Sequence, residues 1–132
     1  MPYQRPGNSV YVKNVSAGVY LHGQAVVETV GAGTEVGVAV KQKNSHWSDG
    51  LAAANQIQIN EPYLILRRGI VQVADGGAGF ADGDPVYITS ANVLTKTGTS
   101  NTKFGRVVEV PADARGVPTG FVRINLDERN TF

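Results

Sequence analysis

Apolar and polar residues alternate in short runs along most of this chain. Ser9–Val15 sets Val10 and Val12 against Tyr11 and Lys13. Gln24–Val30 follows, and then Glu35–Lys41, where Val36, Val38 and Val40 alternate with Gly37 and Ala39. A period of two bounded by Gly, Asn, Asp, Ser and Pro predicts antiparallel strands. Gln56–Asn60 alternates through Ile57 and Ile59. Tyr63–Leu66 and Gly69–Val73 are apolar runs on either side of Arg67-Arg68, which reads as one strand bent or bulged at Gly69. Pro85–Thr89 and Val93–Thr95 predict a hairpin around Ser90-Ala-Asn92, and Phe104–Val110 and Gly120–Leu126 predict two further strands.

The punctuation supports that reading. Ser16-Ala-Gly18, Gly31-Ala-Gly33, Asp75-Gly-Gly-Ala-Gly79, Lys96–Thr102 and Pro111–Thr119 are turns or loops by composition. Residues 1–8 hold two prolines and no apolar periodicity, and read as an extended N-terminal arm. Residues 9–126 form a single β-rich domain, and 127–132 a polar C-terminal tail. The expected fold is all-β, a small antiparallel β-barrel or sandwich with an extended N-terminal arm. Residues 42–55 break the pattern with a polar stretch around Trp47. Leu51–Ala54 is one helical turn at most, too short to be stable alone.

A repeat is faintly visible. Gly23-Gln-Ala-Val26 followed by Val36-Gly-Val38 parallels Gly83-Asp-Pro-Val86 followed by Phe104-Gly-Arg106. Two related hairpins packed into one sheet would write this pattern. So would coincidence in a chain rich in Gly and Val.

Composition narrows the function. At 132 residues the chain has room for one modest core. It has no cysteine, so disulfides and thiolate metal sites are excluded. The formal charge is +1, and Arg67-Arg68 is the only adjacent basic pair, so no basic stripe for nucleic acid is present. No apolar run reaches membrane-spanning length, and Met1–Gly7 lacks a signal-peptide core. No nucleic-acid or membrane partner is expected.

The search for catalysis finds no constellation. His22 and His46 are far apart and outside any zinc-binding spacing, which suits two solvated loop histidines. Asp82 and Asp84 flank Gly83, but a calcium loop needs more oxygen ligands than follow, so the reading is a turn with Asp84 solvated. Gly31–Gly33 and Gly76–Gly79 have the composition of phosphate-cradling loops but lack the following helix and lysine; hairpin turns account for both. No GxSxG elbow exists. No cofactor or metal is expected, and the chain does not read as an enzyme.

Candidate contact residues remain. Trp47 in its polar loop either folds onto the core or anchors a partner, since tryptophan is enriched at interface hot spots. Tyr3 and Arg5 sit on the arm, where prolines lower the entropy lost on docking. Arg67 and Arg68 read as a solvated or salt-bridged bend, with a contact role as the alternative.

Gly83-Asp-Pro-Val-Tyr87, the Val93-Leu-Thr95 return, Lys103-Phe-Gly-Arg-Val-Val108 and Phe121-Val-Arg-Ile-Asn-Leu126 resemble a family of small phage capsid decoration, or cement, proteins. In that family a GD-x-V-Y/W strand, a Thr/Gly-rich loop, an x-x-G-x-V/A strand and a final V-x-V-x-L strand recur in this order. The match is close over 80–126 and looser over 9–126. The Trp47 loop and the arm depart from the simplest members. The resemblance implies a protein on the outer capsid surface of a virion, assembled in the host cytoplasm. It also implies a homotrimer at local three-fold axes whose partner is the major capsid protein. A phage tail or adhesion module and a small β-barrel ligand-binding domain or enzyme stand as alternatives.

Overall fold

The computed structural model describes residues 10–31, 33–41, 56–111, 116–129 and 131. These residues form strands and one 3-10 turn, Leu126–Glu128, with no α-helix among them. Strands β1 (Tyr11–Val15), β3 (Ala25–Val30), β4 (Gly33–Lys41) and β6 (Pro62–Leu66) make a four-stranded sheet in the order β1-β6-β4-β3. Strands β7 (Ile70–Ala74), β8 (Pro85–Ile88), β9 (Leu94–Thr95), β10 (Thr102–Glu109) and β11 (Phe121–Asn125) make a five-stranded sheet in the order β7-β11-β10-β8-β9. Strand β2 (Tyr20–Leu21) pairs with β5 (Gln56–Ile57). Every pairing is antiparallel.

The central strand β4 of the first sheet is buried on both faces. Val36 through Val40 are buried without interruption, although successive side chains of a strand point to opposite sides. Ala25, Val36 and Val38 pack with Val71, Val73, Val86, Val107, Val122 and Ile124 of the second sheet. Val26, Ala39, Tyr63 and Ile65 pack on the other side with Tyr20 and Ile57 of the β2–β5 pair. The chain is therefore layered: a small β-pair, a central sheet, and an outer sheet whose far face carries Arg106, Glu109 and Arg123.

The two sheets are built to one plan. The order β1-β6-β4-β3 is matched by β7-β11-β10-β8. Val26 stands opposite Gly37, and Val86 opposite Gly105. The Gly23 amide donates to the Ala39 carbonyl and the Ala39 amide to Gln24, both at 2.8 Å; Gly83 with Val107 and Val107 with Asp84 repeat this at 2.9 Å. The Leu21 amide donates to Gln24 Oε1 at 3.0 Å, and the Ala81 amide to Asp84 Oδ2 at 2.8 Å. Arg67 donates to the Val10 carbonyl, and Leu126 to Gly69, each at 2.9 Å. The described residues within 10–67 and within 69–126 thus share one structural plan, which bears out the faint repeat.

Several expectations need correction. Residues 63–73 are not one bent strand: Gly69 at φ +94° sends β6 and β7 into different sheets. The Gly76–Gly79 stretch is not a hairpin turn, because β7 and β8 are not neighbours; it carries the chain across the sheet. His22 is not solvated but only 4% exposed. The strand expected over 56–60 is the two-residue β5, and β2 was not expected at all. The Asp82-Gly83 turn is present, but Asp84 is bonded to the Ala81 amide rather than free in solvent. The expectations for the arm, the Trp47 loop, the Leu51–Ala54 turn and His46 lie outside the described residues.

Candidate interaction surfaces

Arg67 and Arg68 occupy the short connection between the two units. Arg67 turns inward: its side chain is 11% exposed and its Nη1 lies 2.5 Å from Glu35 Oε1 on β4. Arg68, its neighbour, is exposed at the surface of the same connection. The sequence pair therefore splits into one arginine committed to the seam and one presented outward. Tyr3, Arg5 and Trp47 lie outside the described residues.

A second guanidinium closes the seam. Arg129, just beyond the 3-10 turn, donates to the Leu126 carbonyl at 3.0 Å, to Val36 on β4 at 3.3 Å, and to the Arg67 carbonyl. Burial pushes its pKa below the ordinary arginine value, while the Glu35 carboxylate pulls the other way. One side chain thus ties the end of the second unit to the first. Nothing in the sequence marked it, because a lone Arg in a polar tail looks solvated.

The core of the first unit carries polar groups where the second carries none. Asn14, Tyr20, Glu28 and Tyr63 occupy the positions of Val73, Phe80, Ile88 and Val122 in the shared plan. Glu28 is buried, and its Oε1 accepts from the Ala17 amide at 3.2 Å. Burial, then the hydrogen bond to Glu28, pushes the Tyr20 hydroxyl up to about 12. Burial, then the Glu28 charge, raises Tyr63 as well. The two tyrosine rings are tilted against each other at 5.9 Å. Tyr63 Oη and Asn14 Nδ2 are both buried, and Asn14 offsets part of the rise at Tyr63.

His22 has a backbone role. Its Nδ1 accepts from the Lys41 amide at 3.1 Å, and burial lowers its pKa. Among the described residues no group of three His, Asp or Glu could hold a metal ion. A groove of about 360 Å³ at the seam is lined by Leu21, Ala25, Val93, Leu94 and Phe121 with Gln24 and Asn92, and no titratable side chain lines it. A cleft of about 290 Å³ is lined by Thr29, Thr34, Ser90, Ser100 and Thr102, with Glu28 and Val27. Among the described residues the exposed large apolar side chains other than Val93 lie outside these two hollows, on strand edges and turns: Tyr11, Val15, Ile59 and Ile70 among them.

The family model for phage cement protein matches residues 5–124. The chain belongs to the phage cement protein family. Membership makes it a capsid-associated structural protein of a bacteriophage. The match spans both units, so the double-unit plan lies within the family's own span. The head fiber gp8.5 N base of bacteriophage phi29 is similar in structure at TM-score 0.44 and 15% identity, over 89% of this chain and 94% of that one. No curated protein matches the chain.

Proposed function

We propose that this cement-family protein binds the outer surface of a phage head as trimers at local three-fold axes. There it ties major capsid subunits together and holds the shell against the pressure of the packaged genome. The family match over residues 5–124 carries the reading. The role is mechanical rather than catalytic. A trimer that touches several capsid subunits at once gains effective concentration, so weak single contacts sum to stable attachment. Arg68 is a contact residue in this reading, with Tyr3, Arg5 and Trp47. Arg67 supports its neighbour by fixing the connection to Glu35.

The test is co-sedimentation with expanded, undecorated shells of the same phage, read as copies bound per capsid subunit. Saturation near one copy per subunit is expected. Absence of binding to expanded shells would overturn the reading.

A further inference from the structure

Among the described residues each unit leaves one strand edge open. In β1 the Val10 carbonyl accepts from Arg67, and Ser16 exchanges bonds with Glu61 and Asn60. The even-numbered residues therefore face β6, and Tyr11, Lys13 and Val15 turn their N–H and C=O groups away from it. In β7 the Gly69 carbonyl accepts from Leu126 and the Asp75 amide donates to Gly120. By the same alternation Ile70, Gln72 and Ala74 turn theirs away from β11. All six residues are exposed. The other edges differ. The β3 edge is covered where Asn92 Oδ1 accepts from the Val27 amide at 2.9 Å, and β9 has two residues.

Open edges are templates for another strand. We propose that the occupant is a second copy of this chain, with β1 of one copy pairing antiparallel to β7 of the next. This rests on the trimeric reading above and names its contact. Lys13 is the only charge among the six edge residues. Pairing β1 with β1 centred on Lys13 sets two ammonium groups against each other, which opposes it. Pairing β7 with β7 leaves every β1 edge open. The β1-to-β7 contact puts Lys13 opposite Gln72, Tyr11 opposite Ala74 and Val15 opposite Ile70. It is head-to-tail, so a closed ring satisfies every edge with a single kind of contact.

The chain has no cysteine, so introduced pairs report without background. Tyr11 and Ala74 would form a hydrogen-bonded antiparallel pair with Cα atoms about 5.5 Å apart, within disulfide reach. The experiment oxidises Tyr11→Cys/Ala74→Cys, and each single variant, both free and bound to expanded shells. Light scattering of the free protein and an amine cross-linker on the shells give the oligomeric state independently. Expected is a reducible covalent trimer from the double variant and no cross-link from either single variant. A trimer that never forms the disulfide would overturn the edge contact and leave the trimeric reading standing. A covalent dimer from Tyr11→Cys/Val15→Cys, two positions that face each other when β1 pairs with β1 centred on Lys13, would replace it with that pairing. Monomers both in solution and on shells would overturn the trimer and the contact together.

Discussion

Two glycines set how closely the strands approach. A Cβ on Gly105 would lie 2.6 Å from Ile124 Cγ2 and 2.7 Å from the Asn125 carbonyl, and one on Gly37 would collide with the Leu66 carbonyl. The carbonyls belong to paired strands and cannot step aside without breaking the ladder. Gly37→Ala and Gly105→Ala should each destabilise by about 1–3 kcal/mol, the cost of overpacking. Gly33→Ala, whose nearest contact is at 3.9 Å, should stay within about 0.5 kcal/mol. Urea melts of the three variants check this, and equal losses at all three would refute it. His22 adds a pH dependence of known sign. Its folded pKa lies below 6.5 because it is buried, so the unfolded chain binds its proton first as pH falls. The stabilisation is complete above about pH 6.5, declines from there toward the folded pKa, and is level below it. Melting temperatures of the parent and His22→Gln between pH 8 and 5 should diverge most at the alkaline end and converge on acidification.

At the scale of elements, the connection between units decides whether they stay registered. Arg129 reaches three carbonyls, on β4, on the connection and on its own turn. Arg129→Ala should cost about 2–3 kcal/mol, because the bonds come from a charged donor and the carbonyls left behind are partly buried. Arg129→Lys should recover little, since an ammonium cannot span three acceptors as a planar fork does. Full recovery by lysine in thermal melts would mean that charge, not geometry, matters. This seam is also where the sequence was hardest to read. Period-two alternation located β3, β4, β8, β10 and β11 because each has a buried face, and β1 because its half-buried residues alternate with exposed ones. It did not divide residues 63–73 between two sheets, since a bulge and a sheet switch at Gly69 have the same local composition. Gly76–Gly79 misled for the same reason, as a hairpin and a crossover both demand positive φ. His22 and Arg129 are single polar residues whose burial is decided by partners far along the chain. Of the candidate contacts, only Arg67 and Arg68 fall among the described residues, and no local pattern told the inward one from the outward one.

At the scale of the molecule, one plan is used twice with different cores, and the difference is a test of what the polar core contributes. The second unit closes over Val73, Phe80, Ile88 and Val122 with no buried charge among its described residues. The plan therefore does not require Asn14, Tyr20, Glu28 and Tyr63 in the first. Removing one member should be harmful: Glu28→Ala leaves the Ala17 amide and the Tyr20 hydroxyl short of a partner, at about 1–3 kcal/mol for a buried group left unsatisfied. Removing the set should not be. Asn14→Val/Tyr20→Phe/Glu28→Ile/Tyr63→Phe follows the second unit at three positions and keeps the ring volume at the fourth. Replacing a buried polar cluster by apolar groups of similar shape is often neutral or stabilising by about 1–4 kcal/mol. The quadruple variant should therefore be at least as stable as the parent and more stable than Glu28→Ala alone, by denaturant melts at neutral pH. Loss in both would show that the network is a net source of stability. Gain in the quadruple together with unchanged attachment to expanded shells would assign the cluster to neither folding strength nor capsid contact. Gain with weakened attachment would mean the first unit keeps its buried charge for the shell.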